Sequence, residues 1–466
     1  MDLPVIPTPV FDRWVWMEEF TFSHIPIAAV ITAWMFLAPI LELIGYRKRD
    51  LRYDRLSKSL VYFSMILFSP GAALGTGIPF LIIGLYPEFW ARWANMFFWP
   101  LIFQFILFTM EVLFLFNFYY LTWDKTMHRK RTHIACGFIA ALMGELIQLI
   151  WDGIGSYMLT PGGVPLPAVN EPVGFSLAGY LNPSFLSLFL HRSFGNLSFT
   201  LLLAGGVFAF RHMRHRVPTE KAYYGFAADV TFTLGFLFFF AQPVIGWFYA
   251  RVIQGEAPVA FIAMMGGHAW YYFIPKLLLI LVFVFIAGTY VFVRHRDKPW
   301  LLGAISIGLA SFYVIFLNHP PLRVFGSPLA WRIAYTAGIL GFIAYLWFVR
   351  WRGPALRVPG WQIFLLVAGL ASTAVFFFGG NMRERVRSPQ TVYGWLEKPE
   401  ATDYERNRFL TYEKCIGCHI RSPRDLVLPA GETWNQRVAA EARRPEVSLS
   451  DEEVVRIASY LEEVDK

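Results

Sequence analysis

Apolar residues arrive in long unbroken runs separated by short clusters of charge, not at the spacing of a helix that keeps one face in water. Ten runs are long enough to cross a bilayer as helices: 20–46, 57–86, 95–122, 133–158, 184–211, 223–252, 270–294, 299–317, 330–350 and 361–380. The connecting loops alternate in charge. Arg47, Lys48, Arg49, Arg52, Arg55 and Lys58 fill the first, and Lys125, Arg129, Lys130 and Arg131 the third. Arg211, Arg214, Arg216 and Lys221 fill the fifth, Arg294, Arg296 and Lys298 the seventh, and Arg350, Arg352 and Arg357 the ninth. The even loops carry almost no Lys or Arg. The positive-inside rule puts the odd loops in the cytoplasm and both termini outside.

Past residue 380 the pattern changes. A polar stretch, 381–404, reads as a linker on the outer surface, and 405–466 as a small helical domain. Tyr404–Tyr412 predicts one helix. Ser448-Leu449-Ser450-Asp451-Glu452-Glu453 predicts the cap of a final helix running through Leu461. The expected fold is all-α: a polytopic bundle over 1–380 with an appended helical domain.

Composition supports this. The chain is 56% hydrophobic and only 16% charged, too little charge for a soluble domain. The net charge of +8 does not indicate nucleic acid, because the basic residues are confined to short loops beside lipid. Asp2, Glu18 and Glu19 precede the first run, the opposite of a cleavable leader's basic start.

Chemistry enters at Cys415-Ile416-Gly417-Cys418-His419. C-x-x-C-H attaches a c-type haem: two thiols bond the vinyl groups and His419 ligates the iron. A disulfide or half a zinc site is the competing reading. It lacks a second cysteine pair and any His beyond His419; the third cysteine, Cys136, lies in an apolar run and reads as a small buried hydrophobe. Haem c is attached outside the plasma membrane, which agrees with the charge rule by an independent route. No Met or His follows from Ile420 to Lys466, so either the haem is five-coordinate or Met382, a Lys, or a side chain of the membrane domain or a partner subunit supplies the sixth ligand, the second being the favoured expectation.

Ionisable groups inside a bilayer cost several kcal/mol, so each is a functional candidate. His24 and Glu42 lie on the first span, Gln104 and Glu111 on one face of the third, and His191 on the fifth. Glu145, Gln148 and Asp152 form a stripe on the fourth, read either as interhelical hydrogen bonding or as a proton relay. His24 and His191 read either as hydrogen-bonded core histidines or as haem ligands. Asp229 and Lys276, on the sixth and seventh spans, are candidate partners for one another, one reading among others. His128, His133, His212, His215 and His295, at span ends, are expected to be solvated.

These residues resemble subunit I of the cytochrome bd-type quinol oxidases, over roughly 15–300 and again near 383–389. Ala73-Leu74-Gly75-Thr76-Gly77 resembles the family's span-two glycine motif. Gln104, Glu111 and Trp123-Asp124 resemble its span-three pattern, and Gly155 to Pro161 its motif at the end of span four. Leu181-Asn182-Pro183, with His191 nine residues after Asn182, resembles its L-N-P motif and low-spin haem ligand. Arg387-Ser388-Pro389 resembles an outer R-x-P motif. The resemblance implies His24 as ligand of a high-spin haem and His191 of a low-spin haem b, at least two haems b with haem d as an alternative for one, and a subunit II-like membrane partner. Departures are equally specific. Gln104 stands where the family has a glutamate, Glu111 is shifted by one residue, and Lys276-Leu277-Leu278 occupies the expected place of the Met ligand, for which His268, ahead of His319, is the substitute. The long quinol-binding loop is reduced to Arg251–Ala269.

The expected function is an oxidoreductase of a bacterial or archaeal plasma membrane. It is a bd-like terminal oxidase subunit passing electrons from quinol or a c-type cytochrome through haem c and haem b to oxygen, with His24, Gln104, Glu111, Glu145 and Asp152 at the catalytic and proton-delivery sites. The alternative is a quinol:cytochrome c electron-transfer subunit on the same scaffold without oxygen chemistry.

Overall fold

The computed structural model describes residues 6–8, 10, 13–164, 175–257, 261, 270–316, 328–352, 360–391, 403, 407, 410–411, 414–415, 428–444 and 447–465. Its described elements are helical, with no strand among them. The longer ones are α1 (Arg13–Lys48), α2 (Leu51–Leu85), α3 (Pro87–Met96), α4 (Phe98–Val112), a π-helical segment (Leu113–Tyr120), α5 (Lys130–Tyr157), α6 (Phe185–Arg214), α7 (Pro218–Phe239) and α8 (Ala241–Glu256). There follow α9 (Trp270–Arg294), α10 (Pro299–Phe316), α11 (Pro328–Arg352), α12 (Trp361–Thr391), α13 (Trp434–Ala442) and α14 (Asp451–Asp465). Among the described residues nine helical segments are long and apolar enough to cross a membrane, with α7 and α8 together forming one of them. The expected span 299–317 is α10, whose apolar stretch, Pro299–Ala310, is shorter.

Local chemistry sets the breaks. Arg49 takes a left-handed φ of 54°, and Asp50 then caps α2 by accepting from the Arg52 N–H at 3.0 Å. The Arg52 side chain, and then its N–H, hold the Asp50 carboxyl below its ordinary range. The run 223–252 is broken at Phe240. Pro243, at the start of α8, has no N–H to continue the ladder of α7. The run 361–380 does not stop at the expected linker, because α12 stays helical to Thr391.

α6 is the interior helix. Two thirds of its apolar window is buried (67%), against 11% for α2 on the perimeter. It meets α7 and α12 through glycines: a Cβ on Gly205 would lie 2.7 Å from the Phe232 Cβ, and one on Gly369 2.8 Å from the Leu202 carbonyl. Lipid-facing helices gain no hydrophobic drive from meeting one another, so such close approaches are how they pack.

Ion pairs tie the expected odd loops together. Arg55 reaches Glu220 at 2.6 Å, Lys58 reaches Asp124 at 2.9 Å and Lys130 reaches Asp54 at 2.7 Å. The first, third and fifth loops therefore lie at one end of the bundle. At the other end, one buried apolar cluster joins Leu159, Leu188, Tyr249 and Ile253 to Leu410, Trp434, Val438, Ile457 and Leu461. The C-terminal helices thus rest on the ends of α5, α6 and α8 opposite the basic loops. Both carry reciprocal caps, Thr433 with Gln436 and Ser450 with Glu453, the second where the sequence predicts it.

Candidate functional site

A cavity of about 500 Å³ opens among α1, α2, α4, α5 and α6, toward the end opposite the basic loops. His24, Gln104, Glu111, Gln148, Arg192 and Asn196 line it. The His24 Nδ1 lies 2.9 Å from the Gly71 carbonyl. A carbonyl only accepts, so Nδ1 carries the hydrogen and Nε2 keeps its lone pair, the state of an imidazole ready to ligate a metal. The span-two motif explains itself here. A Cβ on Gly75 would come within 2.7 Å of the His24 Cε1, so only glycine lets the ring lie flat on α2.

Glu111 is 6% exposed and faces the cavity. Nothing among the described residues hydrogen-bonds or pairs with its carboxyl. Gly144 on α5 makes room for it, since a Cβ there would lie 2.8 Å from the Glu111 Oε1. Gln104 lines the same cavity.

The stripe on α5 divides. Gln148 donates to the Ser193 Oγ (2.8 Å) and accepts from the Asn196 Nδ2 (2.9 Å), and Asp152, fully buried, pairs with Arg192. These two residues clamp α5 to α6. Glu145 lies outside the cavity lining, with no hydrogen bond or ion pair among the described residues. Arg192 was not singled out by sequence reading; a charge inside an apolar span, beside His191, was the available signal.

His191 does not line this cavity. Its ring stacks on Tyr249 of α8 at 5.8 Å, its carbonyl accepts from the Gln242 Nε2 at 2.8 Å, and Gly246 lies against it. Tyr249 also belongs to the apolar cluster under the C-terminal helices, and Cys415 packs against that cluster. Cys418, His419, His268 and His319 lie outside the described residues.

Nearer the basic end, Glu42 is fully buried. Its Oε2 accepts from the Tyr119 hydroxyl (2.9 Å), and its Oε1 meets the His133 Nδ1 and the Lys130 Nζ, each at 2.6 Å. His133 is 1% exposed, so the expectation that it is solvated is wrong: α5 begins at Lys130 and carries His133 inward, between Tyr119 and Trp123. The π segment turns Tyr119 to this point, a use typical of π-bulges. His295 is likewise buried. It contacts Asp229 at 3.3 Å, as do the Tyr290 hydroxyl (3.0 Å) and Arg294 (3.4 Å). The candidate Asp229–Lys276 pair is therefore not formed. Lys276 is 14 residues before Tyr290 on α9, about 21 Å along the helix axis at 1.5 Å per residue, and its Nζ lies beside Gly379.

Residues 13–411 match the family model described as cytochrome bd terminal oxidase subunit I. No curated protein matches the chain. Among solved structures, the bd oxidase from Geobacillus thermodenitrificans is similar, at 15% identity with a TM-score of 0.57, over 86% of this chain and 93% of that one. At that identity the likeness concerns the fold.

Proposed function

The chain belongs to the cytochrome bd terminal oxidase subunit I family, oxidoreductases of the respiratory membrane, and on that premise we propose that it is a haem-bearing oxidase subunit in which the His24 cavity is the oxygen-reducing site. The supporting observation is the pairing, in one cavity, of an imidazole with a free Nε2 and the buried Glu111 carboxyl.

The residues fit a haem. The donor is a neutral imidazole fixed by its second nitrogen, and Gly75 clears the space at its ring. Bound there, a haem b or d supplies one-electron steps and a place for oxygen. His24 holds the iron. Glu111 is the proton donor at the cavity wall, and Glu145, the residue after the Gly144 that packs on Glu111, is the candidate to supply it. Arg192 places a fixed positive charge at the wall, held by Asp152. Gln104 offers an amide where the family resemblance implies a carboxylate, so this chain brings one fewer negative charge to the site.

His191 would hold a second, low-spin haem b, with His268 as the candidate for its other ligand, and Cys415, Cys418 and His419 would hold haem c. Both groups would supply one-electron transfer, and Tyr249, which touches both His191 and the apolar cluster on which Cys415 packs, is the protein contact between their sites. The basic loops face the cytoplasm and the C-terminal domain faces outward, with a quinol or c-type cytochrome as redox partner and a subunit II-like protein beside the bundle. The replaced glutamate at Gln104 favours a second reading, quinol:cytochrome c electron transfer without oxygen reduction. Oxygen uptake by the purified membrane complex, driven by quinol and separately by reduced cytochrome c, tests the choice. Uptake that is lost in the His24→Ala variant supports the oxidase, and reduction of cytochrome c by quinol without uptake supports the second reading.

A further inference from the structure

A second cavity, about 340 Å³, lies at the basic end between α2, the close of the π segment and the end of α6. Arg55, Lys58 and Arg211 line it together with Tyr62, Phe63 and Tyr120. Two of the three cations are matched, Arg55 by Glu220 and Lys58 by Asp124. Arg211 is not. Its guanidinium donates to the Tyr224 hydroxyl at 3.3 Å and lies over the Phe63 and Tyr224 rings at 5.5 and 5.7 Å, with no carboxylate against it among the described residues. The pocket therefore carries one surplus positive charge beside an aromatic wall. The wall opens outward: Tyr62 is 50% exposed, and Ile66, one turn deeper on the same face of α2, is 53% exposed.

We propose that this pocket binds the phosphodiester headgroup of an anionic phospholipid from the leaflet facing the basic loops, with an acyl chain lying along Tyr62 and Ile66. Charge complementarity selects the headgroup. A single phosphodiester neutralises the surplus Arg211 charge in a pocket lined by three cations, at the depth where tyrosines mark the membrane interface. The exposed apolar pair Tyr62 and Ile66 selects a lipid over a free anion, since inorganic phosphate would leave both unused.

The test is native mass spectrometry of the intact protein, with its co-purifying subunits, extracted in mild detergent and offered phosphatidylglycerol or phosphatidylcholine. Phosphatidylglycerol is expected to be retained in preference. Arg211→Gln is expected to lower that retention about fivefold, the worth of one interfacial cation, and Arg211→Lys to restore most of it. Arg214→Gln removes an equal charge three residues away, from a side chain that lies over Phe210 outside the pocket, and is expected to change nothing. Equal retention in Arg211→Gln and the parent protein would overturn the proposal. So would equal retention of phosphatidylcholine, displacement of the lipid by millimolar inorganic phosphate, or no retained lipid because a neighbouring subunit covers the face.

Discussion

His133 and Glu42 form a buried pair, Nδ1 to Oε1 at 2.6 Å. The His133 Nε2 lies 3.1 Å from the Tyr119 carbonyl, which only accepts, so Nε2 carries a hydrogen. Three side chains converge on the Glu42 carboxyl: the Tyr119 hydroxyl, the Lys130 ammonium and the His133 ring. Lys130 also reaches Asp54 at 2.7 Å, so one cluster ties α1, α2, the π segment and α5 together.

Removing one member leaves charge buried. Glu42→Ala strands His133 and Lys130, and is expected to cost about 3–5 kcal/mol. Thermal unfolding in detergent reads this as a clear drop in Tm. A variant with unchanged Tm would show that the cluster is not held as described.

Gly75→Ala puts a methyl 2.7 Å from the His24 Cε1, against a ring already fixed by Gly71. The ring must tilt and the His24 haem is expected to be lost or reduced in occupancy. The haem-to-protein ratio checks this, and the low-spin spectrum assigned to His191 should persist.

Asp152 is fully buried and pairs with Arg192, whose side chain is half-buried. Arg192→Leu is expected to destabilise by about 3–5 kcal/mol, and the double variant Arg192→Leu with Asp152→Asn to recover much of the loss. Additive losses in the two single variants would contradict an Arg192–Asp152 coupling.

Tyr249 links His191 to the cluster beneath the C-terminal helices. Tyr249→Ala opens a cavity there, worth about 3–5 kcal/mol for a large aromatic side chain. Limited proteolysis is expected to release the C-terminal segment faster, and stopped-flow reduction of the His191 haem through haem c to slow. Unchanged cleavage and rate would place the electron path elsewhere.

Glu453 caps α14. The Ser450 backbone N–H, and then Lys414, hold its carboxyl below the ordinary range. A carboxyl depressed on folding stabilises above its unfolded pKa and loses that contribution as the pH falls through its folded value. The last helix should therefore loosen on acidification below the usual carboxylate range. Glu453→Gln is expected to remove that pH dependence, read by circular dichroism of the C-terminal domain or by hydrogen exchange at α14.

The long apolar runs and alternating loop charges made the bundle legible, because a bilayer allows few alternatives. His24, Gln104 and Glu111 were found as intramembrane polar groups, and the structure brings these three to one cavity. Glu145 and His191 were found by the same signal, but lie elsewhere. What stayed hidden was pairing. Asp229 went to His295, because sequence distance says nothing of depth along two antiparallel helices. His133 looked like a loop residue until the start of α5 was fixed. The glycines that seat His24 and Glu111 carry no chemistry of their own, and their purpose is visible only against the side chain each one admits.

The central claim is that His24 holds the oxygen-reactive haem. The direct measurement is the carbon monoxide difference spectrum of the dithionite-reduced intact protein beside its His24→Ala variant, with haem c followed separately at its own bands. The account predicts a carbon monoxide-binding non-covalent haem in the parent protein that disappears in the variant while the low-spin haem b signal remains. An equal carbon monoxide band in both proteins, or none from a non-covalent haem in the parent, would contradict it.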